Sequence, residues 1–168
     1  MGPPALAHTA TIAGMFQLWM FLHVLGAIAA FGYGFYAPIF GMASAQEPQH
    51  SHWFTKAAKR VSNLIILPFA ILMFITGAML VETGGTEWSA RWLSVAMLLY
   101  FIALGIVFLV QRPAVNKMIA LTAQAPGPAG PPAELLAAVQ RTKIAGAVLL
   151  LLTLAILALM VWKPALGQ

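Results

Sequence analysis

The chain reads as an all-α integral membrane protein, a four-helix bundle of antiparallel up-down topology with both termini on the outer side. Three observations predict this. First, 61% of its 168 residues are hydrophobic and only 8% charged, with a mean hydropathy of +0.88. A soluble domain needs roughly a quarter of its residues charged. Second, four apolar runs, about 16–40, 61–81, 92–110 and 144–162, have the ~20-residue scale of a bilayer crossing. Third, basic residues gather in alternate connections, which sets orientation. The whole chain, 1–168, is expected to form a single membrane domain.

The first run has no basic residue ahead of it and is longer than a signal-peptide core, so it is read as a retained membrane helix. Within it Gly26, Ala30 and Gly34 recur at steps of four, a spacing that puts small residues on one helix face and admits another backbone, that of a neighbouring helix within the bundle or that of a subunit or cofactor contact. The polar connection 43–60 is expected to be a solvated loop, with Trp53-Phe54 and then Lys56, Lys59 and Arg60 leading into the second run. Pro68 removes a backbone donor inside that run and predicts a kink. Thr83-Gly84-Gly85-Thr86-Glu87 is a turn between antiparallel neighbours. The third run ends at Gln111-Arg112-Pro113, and 114–124 is expected as a short surface helix. A Pro/Gly linker, 125–132, cannot pack. The fourth helix starts near Ala133-Glu134 and stops at Lys163-Pro164; its ~45 Å would carry its first turns out of the membrane.

Lys56, Lys59 and Arg60 lie in the first connection, and Arg112, Lys117, Arg141 and Lys143 flank the third. The second has only Arg91, beside Glu82 and Glu87. The positive-inside rule puts both basic connections in the cytoplasm of a cell whose inner (plasma) membrane holds the protein. Trp19, Trp88, Trp92 and Trp162 then form one outer aromatic belt. The lipid bilayer is the expected partner, with a membrane protein or a second copy beside it. Nucleic acid is not, because the nine Lys and Arg residues cap apolar runs. The absence of cysteine excludes disulfides and thiolate metal sites.

His23 is the candidate for chemistry, since an ionisable group inside a span is a functional hypothesis by default. It lies four residues inside Trp19, about 6 Å below the outer belt. Two readings stand open: an imidazole hydrogen-bonded within the bundle, with Glu82 as partner, or a haem or metal ligand. Met97 and Met79 lie near the same depth, and a thioether can ligate haem opposite His. Arg91 is placed to pair with a haem propionate, with Glu87 or with lipid phosphate. His50 and His52, near Glu47, form a weak divalent-metal candidate.

The spacing His23, Gly26, Phe31, Phe35, Tyr36, Pro38 resembles the first membrane helix of the J-type protoporphyrinogen oxidases, haem-associated proteins of the copper-resistance-D-like group. Ile65-Ile66-Leu67-Pro68 through Ile75-Thr76-Gly77 resembles their second helix, and Trp92 to Leu98 the start of their third. The resemblance implies b-type haem (haem b) with His23 as axial ligand. The family's third-helix Trp-Leu-His-Val-Lys pattern, whose Lys works with that His, is replaced here by Ser94 and Ala96 at its last two polar positions. The tail Met160-Val161-Trp162-Lys163-Pro164 is more similar to a bacterial four-helix membrane family of unknown function that often ends Met-Val-x-Lys-Pro.

No nucleophile–base pair or carboxylate dyad can be drawn within the spans. The expected function is therefore a non-catalytic bundle, an accessory or assembly subunit contacting a partner through Gly26, Ala30 and Gly34; the alternative is a haem protein. Ion transport is not expected, because the bilayer centre is almost wholly apolar and only Pro68 breaks a span.

Overall fold

In a computed structural model, residues 3–123 and 130–164 are described, with side chains from residue 14 onward. Most of the Pro/Gly linker lies outside the described residues. The helices are α1 (Pro3–Gln46), α2 (Ser51–Val61), α3 (Leu67–Gly84), α4 (Arg91–Ile106), α5 (Arg112–Thr122) and α6 (Ala133–Trp162), with no strand among the described residues. Short π-turns join α2 to α3 and α4 to α5, so the chain forms four continuous rods. Each rod, Gly14–Gln46, Pro48–Gly84, Arg91–Thr122 and Ala133–Trp162, is long and apolar enough to cross a membrane.

The connection 43–60 is not the loop its polarity suggests. α1 runs on through Pro38 to Gln46, and after a single 3₁₀ turn at Pro48–His50 the chain is helical again. The reason is the pattern of α2, where Thr55 is buried while Trp53, Lys56 and Arg60 are exposed. An amphipathic turn of this kind forms a helix against its neighbours rather than a loop. The expected surface helix after Pro113 exists as α5, but as a continuation of the third rod.

The two π-turns have one cause. Residues 62–66 and 107–111 each precede a proline, Pro68 and Pro113, by a single residue. A proline ring collides with the carbonyl four residues back. In both rods the residue just before the proline instead donates five residues back, Leu67 N–H to Ser62 O and Arg112 N–H to Val107 O. The widened turn makes room for the ring without ending the helix.

α1 and α3 pack antiparallel in strict register. Phe16 faces Gly84, His23 faces Gly77, and Gly26 faces Met73. Ala30, Ala70 and Met73 form the buried cluster between them, flanked by Ala27, Phe31 and Phe69. Elsewhere the buried apolar positions include Ala96, Ala114, Ala138 and Ala145 beside Val81, Leu93 and Ile156. Lipid supplies no hydrophobic drive between helices, so close backbone approach through small side chains holds such a bundle. α4 packs on α6, with the Lys163 ammonium 5.6 Å over the Trp92 ring. α3 and α4 make no close backbone approach and are bridged by side chains. Tyr100 donates to Ala70 O at 2.8 Å, and its ring stacks on Phe74 at 6.0 Å. α6 also touches α1, where Leu150 lies beside Gly34. The four rods thus close into a ring. Gly85, at φ +66°, supplies the left-handed cap that ends α3.

A methyl at Gly26 would lie 2.8 Å from Met73 Cγ and 3.4 Å from Phe69 O, whereas one at Gly32 would meet nothing within 4 Å. Gly26→Ala is therefore expected to cost about 1–3 kcal/mol through overpacking. Gly32→Ala should be neutral or stabilising by up to about 1 kcal/mol. Unfolding of the two variants in detergent, side by side, measures the difference.

Candidate functional site

His23 is half-buried and lies across the α1–α3 seam. Its Nδ1 is 3.1 Å from Met73 O and 3.1 Å from Thr76 Oγ1. A carbonyl only accepts, so Nδ1 carries the proton and Nε2 is left with its lone pair. Thr76 supports this tautomer: its hydroxyl donates to Leu72 O at 2.8 Å, so its oxygen is free to accept from His23. Thr76 is completely buried. Gly77 completes the seat, since a Cβ there would lie 3.2 Å from His23 Cε1. The imidazole rests on bare backbone.

The partner of His23 is thus not Glu82, whose Oε1 accepts from Trp88 Nε1 at 2.8 Å. A carboxylate at the end of α3 is too far along the helix to face His23, which sits opposite Gly77. Met79 lies one turn beyond Thr76 on α3, and residues three apart share a face. Met97 is on α4, which makes no close backbone approach to α1 among the described residues. Ala96, where the oxidase pattern has its lysine, is 1% exposed and packed as part of the bundle's seam. Arg91 opens α4 and is already engaged by a neighbour. For haem, His23 would offer Nε2 as its ligand, whereas Met97 is on a helix that is not brought to α1 among the described residues.

His50 and His52 turn to different partners, His50 Nδ1 to Glu47 Oε2 at 2.9 Å and His52 Nδ1 to Thr122 Oγ1 at 3.2 Å. Among the described residues no group of three or more metal-ligating side chains converges. Gly26 and Ala30 face α3 and Gly34 faces α6. That small-residue face is used for helix packing within the bundle, one of the two readings its spacing allows. α3 offers the complementary surface, covalently tethered and in register.

Sequence reasoning missed two polar ties, those of Thr76 and Tyr100. Thr76 was visible only as a motif residue, although a Thr–Gly step in an apolar helix signals a hydroxyl beside an open seat. Tyr100 caps a carbonyl of α3. Arg112 donates to Asn63 Oδ1 at 2.9 Å, joining the two π-turn regions. Trp19 Nε1 and Gln111 Oε1 are buried without a partner.

¹⁵N NMR of the full chain should show His23 protonated at Nδ1 at neutral pH; protonation at Nε2 alone would contradict this geometry. Thr76→Val, which keeps the shape and loses the hydroxyl, should destabilise by about 1 kcal/mol in an unfolding assay. Gly77→Ala should displace the ring and shift its resonances.

No curated protein and no solved structure matches this chain. A family profile does, over residues 17–164, and its description is "Predicted integral membrane protein (DUF2269)". The match spans all four rods, from just before Trp19 to Pro164. A likeness to the J-type protoporphyrinogen oxidases is not shown by it. The chain, an antiparallel bundle of four membrane-spanning rods, belongs to the DUF2269 family of integral membrane proteins.

Proposed function

We propose that this protein is a non-catalytic bundle of the plasma membrane, an accessory or assembly subunit that works through contact with another membrane protein or a second copy. One observation carries the reading. Two polar side chains of the spans hold helix to helix: His23 on Met73 and Thr76, and Tyr100 on Ala70. Groups held in this way serve as struts. Because Gly26, Ala30 and Gly34 are covered by α3 and α6, the partner contact uses a different face of the bundle. In mild detergent the protein should co-purify with a stoichiometric companion or as a multimer. Recovery as a lone monomer with nothing attached sinks this proposal.

A second reading is favoured by one feature of His23. Histidines that ligate metals almost always donate their other ring N–H to a carbonyl or carboxylate, and His23 Nδ1 does so to Met73 O. Nε2 would then be the nitrogen with which His23 could hold haem b, which when bound would supply redox chemistry. An optical spectrum of the protein titrated with haemin decides it. A Soret band that His23→Ala abolishes supports the reading, and no uptake ends it.

The orientation that goes with the proposal puts the end bearing Lys56, Lys59, Arg60 and Arg112 in the cytoplasm, by the charge asymmetry between the two ends. Alkaline phosphatase fused after Gln168 should then be active, and the same enzyme inserted in the 125–132 linker inactive.

A further inference from the structure

At the basic end of the bundle, between α2 and α5, lies a cavity of about 230 Å³ lined by Lys56, Lys59, Arg60, Asn63 and Ile119. We propose that it is a binding site for a phosphate-bearing anion, and that its occupant is the headgroup of an anionic phospholipid such as phosphatidylglycerol.

The lining is made almost wholly of donors. Lys56, Lys59 and Arg60 are spaced so that they share one side of α2. Asn63 is oriented by Arg112, whose guanidinium can only donate, so the amide oxygen is occupied and the NH₂ remains to donate. Among the described residues, no carboxylate lines the cavity. The two acidic residues at this end are engaged elsewhere: Glu47 with His50, and Glu134 with Lys117 at 2.9 Å. The Lys117 ammonium holds the Glu134 carboxyl below its usual range, keeping that charge committed to its own pair. Neither ion pair involves Lys56, Lys59 or Arg60. Three cations and an amide therefore face a concave space with no counter-ion among the described residues.

Depth and size favour a lipid. Immediately after Asn63 the rod turns apolar and outward, with Leu64 74% exposed, so the cavity sits where the hydrocarbon-facing surface begins. Trp53, 65% exposed one turn before Lys56, is a side chain suited to the headgroup level. Ile119 gives one apolar wall. The volume is below the roughly 300–1,000 Å³ of pockets for drug-sized ligands, and fits a headgroup whose acyl chains stay in the bilayer. Basic pockets between membrane helices take such headgroups.

Native mass spectrometry of the detergent-solubilised full chain tests this, with phosphatidylglycerol, phosphatidylcholine and inorganic phosphate as separate probes. The wild type should retain phosphatidylglycerol and discriminate against phosphatidylcholine. The triple variant Lys56→Gln, Lys59→Gln, Arg60→Gln should bind phosphatidylglycerol roughly 100-fold more weakly. Arg141→Gln with Lys143→Gln, which removes charge from the same end but outside the cavity, should leave binding unchanged. Ile119→Glu, which sets a carboxylate on the opposite wall and spares all three cations, should also weaken it. The proposal is overturned if the triple variant binds like the wild type. It also fails if the Arg141/Lys143 variant loses as much, since binding is then diffuse charge, or if inorganic phosphate displaces the lipid.

Discussion

The close approach of α1 to α3 is the contact on which the rest of the bundle depends. Gly26 lets Met73 and the Phe69 carbonyl come within van der Waals range, and Ala30 and Ala70 continue the seam. That separation puts His23 within 3.1 Å of a carbonyl and a hydroxyl on the neighbouring rod. In hydrocarbon every polar group has to find its partner inside the protein. A seam even one side chain wider would leave the imidazole and Thr76 short of each other. Packing and polar satisfaction therefore reinforce one another along a single line of contact.

The other half of the ring is assembled differently. α3 and α4 are held apart by aromatic side chains, with Tyr100 reaching across to the Ala70 carbonyl, while α4 and α6 approach each other directly. The prolines extend the design past the apolar runs. By widening one turn each, Pro68 and Pro113 let their rods stay helical into the basic end, where Asn63 and Arg112 meet. The same continuity places α2 beside α5 and so creates the donor-lined cavity. A break at either proline would have left the basic residues on loops, without a wall to face.

Most of the architecture was legible in the chain itself. The four spans, the small-residue face of the first helix and the segregation of charge to alternate connections are all local properties of composition and spacing. The errors were also local in origin. Polarity across 43–60 suggested a loop, whereas α2 is an amphipathic helix stabilised by neighbours that the segment alone does not reveal. Glu82 was at a reasonable depth to meet His23, yet Trp88, six residues away, takes it. Met97 shares a depth with His23, but its helix makes no close backbone approach to α1 among the described residues.

Depth along the membrane normal can be counted in residues, so a sequence determines which elements span, where they end and what charge sits at each end. Rotation and register between helices cannot be counted in this way, because apolar runs rich in Leu, Ile and Ala offer many nearly equivalent faces. Only the tertiary structure decided that Gly26 meets Met73, that Thr76 accepts from His23, and that Lys56, Lys59 and Arg60 line a cavity. Those pairings rest on the fit between surfaces from distant parts of the chain, which no single stretch encodes.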